Sequence, residues 1–134
     1  MYLELLSYEK DYLPKGWKPY YIYNIIENHH EVGRIVLREG TCQERYFDGH
    51  IGYTIEEEYR GHRYSREACL LLFDKAKEIG LTQLIITCSP ENIASRRIIE
   101  SLPSKFIEEK EIPATLRKDF GENERVKRIY QITL

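Results

Sequence analysis

Two short segments carry residue types that chemistry can use. The first is Tyr59-Arg60-Gly61-His62-Arg63-Tyr64-Ser65, directly ahead of an amphipathic stretch. A helix N-terminus exposes unpaired N–H groups and a partial positive charge, so it attracts phosphate. Arg60 and Arg63 add cationic charge beside those amides, and Gly61 lets the main chain come close to a ligand. The same residues also suit a charged turn before a helix, and one Gly with two Arg is a weak phosphate signal. The second segment is Asn92-Ile93-Ala94-Ser95. Its Asn can cap a helix or hydrogen-bond an amide-bearing ligand.

Candidates for proton transfer lie near both segments. His50 carries an imidazole, which titrates near ~6.5. Glu56 and Glu57 follow the same strand, and Ser95 and Tyr130 carry hydroxyls that donate or relay. Each has a structural use as well: a solvated turn for the glutamates, strand packing for His50 and Tyr130, a helix cap for Ser95. Cys88 ends an apolar strand without a His partner placed by sequence, and Cys69 falls in a helix's apolar stripe. His29 and His30 are adjacent, so they point apart, and no Cys or Asp completes a site; a metal is not expected.

These residues need elements to hold them. The chain has 134 residues, 42% of them hydrophobic and 31% charged, enough for one packed domain over 1–134. A net charge of −2 argues against nucleic acid held by bulk charge. No apolar run nears the roughly 20 residues of a membrane span, and Met1-Tyr2-Leu3-Glu4 has no signal-peptide pattern. Cys42, Cys69 and Cys88 have no CxxC spacing, which suits a reducing cytoplasm better than a disulfide framework.

Residues 2–8, 20–27 and 32–37 read as strands, with turns at Pro14, Gly16 and Pro19 and at Asn28-His29-His30. His50 to Ile55 is a further strand, with Ile51, Tyr53 and Ile55 on one face. Ala68, Leu71, Leu72, Ala76 and Ile79 recur at helical spacing over 64–79, and Gly80 suits the C-cap. The continuous apolar run in 82–88 fits a strand covered on both faces. Strand, helix and strand together make a parallel, right-handed βαβ unit. Ser89-Pro90 opens a second helix with Ser89 as N-cap, Pro103 stops it, and 106–112 and 126–134 close the fold as strands.

Taken together, Gly49-His50-Ile51-Gly52-Tyr53-Thr54-Ile55, Tyr59-Arg60-Gly61, the amphipathic stretch to Gly80-Leu81, Leu84-Ile85-Ile86-Thr87-Cys88 and Asn92-Ile93-Ala94-Ser95 resemble the GNAT superfamily of acyl-CoA-dependent N-acetyltransferases. The likeness covers residues 49–102. It implies an α/β (α+β) fold with a mixed β-sheet that splays between two parallel strands, flanked by helices. Acetyl-CoA would lie in the splay. Tyr53, Thr54 and Ile55 would offer main-chain groups to its pantetheine arm. Arg60, Gly61, His62, Arg63, Tyr64, Ser65 and Arg66 would hold its pyrophosphate, and Asn92 would contact the arm.

The chain departs from the family's Gln/Arg-x-x-Gly-x-Gly/Ala signature: its central Gly is Arg63 and its last place is Ser65. Many relatives carry an acidic Tyr seven residues after the Asn; here that place is Ile99. The implied function is direct acetyl transfer from acetyl-CoA to a primary amine on a small molecule or peptide, with Glu56, His50 and Ser95 as catalytic candidates. The rival is a GNAT-fold domain that binds acyl-CoA or a protein partner with little or no catalysis. Many relatives place two helices between the first two strands, where only residues 9–19 stand here. The acceptor pocket is then shallow or completed by another subunit, and the Tyr-rich N-terminal part with its open strand edges suits a homodimer.

Overall fold

The computed structural model describes residues 1–134. Four strands, β1 (Tyr2–Glu9), β2 (Tyr20–Glu27), β3 (His30–Arg38) and β4 (Ile51–Ile55), form an antiparallel sheet in that order. Helix α1 (Tyr64–Glu78) follows, then β5 (Gln83–Cys88), helix α2 (Ile93–Ser101), β6 (Ser104–Glu111) and β7 (Val126–Thr133). These last strands make a second antiparallel sheet in the order β5-β7-β6.

The expected splay is a complete break. β4 and β5 belong to different sheets, so the strand–helix–strand order exists without a ladder between its strands. The main-chain bond from His50 N–H to Ile85 O, at 2.8 Å, joins them at one end. Beyond that point no main-chain bond crosses the gap between β4 and β5.

Both helices cover the same side of the two sheets. α1 buries Ser65, Ala68, Cys69, Leu72, Phe73 and Ala76, an i, i+3/i+4 stripe. Leu71 and Ile79, expected in that stripe, are half-buried at its margin. The stripe packs into one core with Ile25, Ile35 and Leu37 of the first sheet and Leu84, Ile86 and Tyr130 of the second. Gly80 ends the helix at φ +90. Its N–H donates to Lys77 O and the Leu81 N–H to Ala76 O, both at 3.0 Å, which satisfies the last-turn carbonyls.

Helix α2 starts later than its sequence suggests. Asn92, not Ser89, is the N-cap, and its side chain accepts the Ser95 N–H. Pro90 lies in the turn before the helix.

Residues 10–19 form only bends and turns between β1 and β2, so no helix from this connection covers the first sheet's outer side, where Ile22 and Val36 are half-buried. The two rim strands are irregular. β1 carries an extra residue, Leu6, between the paired Leu5 and Ser7, and β6 carries Ile107 between Phe106 and Glu108. No helix is long and apolar enough to cross a membrane.

Candidate functional site

The loop ahead of α1 is built on unusual backbone. Gly61 sits at φ +90. An added Cβ there would meet nothing within 4 Å, so the turn's conformation, not crowding, calls for glycine. Arg63 is the N-cap of α1 in the left-handed region, at φ 60 and ψ 27, an arrangement that strains a side-chain-bearing residue. No side chain caps the helix. The main-chain N–H groups of Gly61, His62, Arg63, Tyr64 and Ser65 donate to no acceptor in the protein. Five successive amides therefore stand open at a helix N-terminus, where partial positive charge collects.

The side chains of this segment divide. Arg63 and His62 are exposed, and the His62 ring stacks on Tyr64 with centroids 5.1 Å apart. Arg60 turns back: its Nε donates to Ile55 O at 3.0 Å, so the guanidinium closes the end of β4. Arg66 reaches the other helix and donates to Ser101 O at 3.4 Å. The Ser65 side chain faces the core, and the residue is buried. Of the phosphate candidates, Ser65 therefore offers only its amide.

The main chain of β4 supplies a second row of polar groups. Glu56 N–H donates to Val32 O at 2.8 Å and Arg38 N–H to His50 O at 2.7 Å. Alternation along the strand then turns the main-chain groups of Gly52 and Thr54 toward β3, and those of Tyr53 and Ile55 toward the gap. The close approach of Thr54 O to Gly33 agrees with this. Thr54 therefore has no main-chain group for a ligand, and the Ile55 carbonyl is already held by Arg60. The Tyr53 main chain and the Ile55 N–H remain.

Across the gap stands the first turn of α2. Asn92 Oδ1 accepts the Ser95 N–H at 3.2 Å; Asn92 is exposed and its amide nitrogen makes no bond within the protein. The Tyr53 hydroxyl lies 3.1 Å from Ser95 Oγ, so a side chain of the first sheet meets one of α2. Burial pushes the Tyr53 phenol up to about 12. Burial likewise raises the thiol of Cys88, and pushes that of Cys69 up to about 12. Both thiols are therefore protonated at neutral pH and are not nucleophiles.

The proton-transfer candidates separate sharply. His50 is fully buried. Its Nδ1 accepts the Ile85 N–H at 2.9 Å, and Nε2 faces Gly40 O at 2.8 Å. Burial lowers its pKa. With both ring nitrogens engaged, His50 has no lone pair to offer a substrate, so its assignment as a base is corrected to a structural one. The Tyr130 hydroxyl is also engaged, donating to Glu100 Oε2 at 2.8 Å and accepting from Arg128 Nε at 2.9 Å. Glu56 is exposed and its carboxylate makes no capping bond. It lines a shallow hollow with Glu57 and Glu58 only.

Sequence reasoning missed the hydroxyl of Tyr53, which it valued only for its main chain. The signal was the alternation that sets Ile51, Tyr53 and Ile55 on one face of the strand. The role of His50 had no local signal, because its partners are 10 and 35 residues away. A hollow of about 490 Å³ lies elsewhere, between residues 42–47 and strands β5, β6 and β7, and none of the candidate residues lines it. No group of three or more His, Cys, Asp or Glu is arranged to hold a metal ion.

Residues 4–103 match the family model described as "Acetyltransferase (GNAT) domain". The uncharacterized N-acetyltransferase YnaD of Bacillus subtilis is 31% identical over an alignment 78 positions long that covers 51% of this chain and 46% of YnaD. The fold resembles the Salmonella typhimurium acetyl transferase that modifies the N-terminal serine of a 50S ribosomal subunit protein, with TM-score 0.67 at 15% identity. That match covers 90% of this chain and 66% of the other. It also resembles the microcin C7 self-immunity acetyltransferase MccE, solved with acetyl-CoA and AMP, with TM-score 0.67 and 15% identity over 86% of this chain and 61% of that one. The chain thus spans about half the length of its curated relative.

Proposed function

We propose that this chain, which belongs to the GNAT acetyltransferase family, is an N-acetyltransferase that uses acetyl-CoA to acetylate a primary amine by direct attack. The observation that carries this reading is the run of five open amides, Gly61 to Ser65, at the head of α1. Such a run fits a diphosphate, which needs several convergent donors and is drawn by the helix dipole. Arg63 adds charge where the family signature has only a glycine.

Acetyl-CoA supplies an activated acetyl thioester. The chain's own groups have three tasks around it. The N–H groups of Tyr53 and Ile55 face the gap and can donate to a carbonyl oxygen as negative charge builds there. The Asn92 amide nitrogen is free to hold an amide of the arm. The Glu56 carboxylate, at the solvent-exposed end of β4, takes the proton that the amine must lose. Ser95, whose Oγ lies 3.1 Å from the Tyr53 hydroxyl, supplies a hydroxyl on the α2 side of the same gap.

The acceptor is a small-molecule or peptide amine reached from the side that residues 10–19 leave bare; nucleic acid and membrane are not part of this reading. Three free thiols support a cytoplasmic setting. The test is thermal unfolding with and without acetyl-CoA, followed by CoA release across a panel of amines. A ligand that binds only the native state stabilises it by about 2.7 kcal/mol at a hundred times its Kd. No shift at millimolar acetyl-CoA sinks the reading. Binding without CoA release on any amine favours a non-catalytic acyl-CoA-binding domain.

A further inference from the structure

We infer that Tyr53 is a positioning residue: from β4 its hydroxyl donates across the gap to Ser95 Oγ, leaving the Ser95 proton free to hydrogen-bond the sulfur of the departing CoA thiolate. The inference rests on the acetyl-CoA reading above and adds a side chain, the Tyr53 phenol, that reading does not use.

Four observations support it. Helix α2 contains no tyrosine, and Ile99 on its inner face is buried in the core, so α2 has no phenol of its own to offer. The phenol of Tyr53 reaches α2 from the opposite wall instead, 3.1 Å from Ser95 Oγ. Ser95 Oγ makes no other hydrogen bond, not even to its own helix, so Tyr53 alone fixes its rotamer. Finally, Tyr53 stays protonated through the physiological range because burial raises its pKa. The groups acting on it are Ser95, Cys69 and Cys88, and none is a fixed charge. A neutral pair of donors in a low-dielectric gap polarises along its length, which strengthens the terminal bond.

The bookkeeping of bonds is simple. The amine nitrogen bonds the acetyl carbon, the C–S bond breaks, and its electron pair stays on sulfur. Ser95 keeps its proton and shares it with the thiolate; the surplus amine proton leaves through Glu56 to water. Ser95 therefore never becomes an alkoxide, and Tyr53 never becomes a phenolate.

A hydrogen bond to the thiolate lowers the pKa of bound CoA's thiol, which can be read without any acceptor. The experiment titrates the thiolate absorbance of CoA bound to the full chain, with dethio-CoA as the blank for the protein's own thiols and phenols. The wild type is expected to hold the thiol below its value in free CoA. Tyr53→Phe, which keeps the ring, should raise it by about one unit, a tenfold change in the thiol–thiolate equilibrium. Ser95→Ala should raise it at least as far, and Ser95→Thr should restore it. Urea unfolding of each variant shows that the fold persists.

A wild-type thiol pKa equal to that of free CoA overturns the inference alone, as does a lowered value that Tyr53→Phe retains. Tighter CoA binding by Tyr53→Phe with an unchanged thiol pKa marks the pair as a latch, and also overturns it. No CoA binding by the wild type overturns the acetyl-CoA reading, and the inference with it.

Discussion

Ile85 and His50 exchange hydrogen bonds: the Ile85 N–H donates to His50 Nδ1 at 2.9 Å, and the His50 N–H donates to Ile85 O at 2.8 Å. An imidazole thus stands in for a strand neighbour where the two sheets meet. Because Nδ1 accepts, Nε2 carries the hydrogen and donates it to Gly40 O. Only the neutral ring can do both. Burial is the main cause that holds the His50 pKa below its ordinary value; it outweighs the raising effect of the Gly40 carbonyl, and the nearby Arg45 cation acts with it.

The unfolded chain therefore binds a proton here at a pH where the folded chain does not. Stability from this site is complete above about 6.5 and falls as the pH drops below it. Urea unfolding between pH 8 and pH 5 should show that decline, and His50→Gln should lessen it. The variant should also cost about 2–4 kcal/mol at pH 8, because it breaks or distorts two buried hydrogen bonds. An unchanged pH profile in His50→Gln would remove the ring from this role.

Arg63 offers a test in which stability and binding move apart. Its left-handed conformation costs about 1 kcal/mol relative to glycine. Arg63→Gly should relieve that strain and raise the urea midpoint. The same change removes a cation beside the open amides, so acetyl-CoA binding measured by calorimetry should weaken. Arg63→Ala should weaken binding without the gain in stability. Equal affinities in all three proteins would take the Arg63 side chain out of the site.

Asn92 has one measurable structural task, the bond to the Ser95 N–H. Asn92→Ala should lose about 1 kcal/mol of stability. Asn92→Ser keeps a capping oxygen and should nearly restore it. If the free amide nitrogen also holds the cofactor's arm, both variants bind acetyl-CoA more weakly. A Ser variant with wild-type affinity would leave Asn92 as a cap only.

Glu56→Gln should lower turnover about a hundredfold once an acceptor is found, with acetyl-CoA affinity unchanged. Glu58→Gln, on the same exposed turn, serves as the control and should leave turnover intact. Loss of activity in both would point to the turn's charge as a whole.

The sequence reveals local periodicity well and long-range register poorly. The face of α1 was legible because Ala68, Leu72 and Ala76 recur four apart, with Cys69 and Phe73 beside them. Gly80 as a C-cap followed from its place after the last apolar residues. For the start of α2 the sequence offers two caps, Ser89 before Pro90 and Asn92, and the fold uses Asn92. The break between β4 and β5 and the clasp at His50 depend on contacts across 35 residues, which no window along the chain contains. The loop with open amides ahead of α1 could be located from its glycine and arginines, but not which arginine faces outward. That is decided by the Ile55 carbonyl, which draws Arg60 back, and by the end of α2, which draws Arg66 aside.

The inserted residues at the two rims, Leu6 and Ile107, have their own consequence. An open sheet margin invites a neighbouring molecule to add a strand, and repeated addition yields fibrils. A bulge kinks the margin and puts its donors and acceptors out of step with any straight newcomer. The two outer margins, β1 and β6, are defended in that way. A second copy that docks here must therefore meet a face, and polymerisation by strand stacking is discouraged at either end.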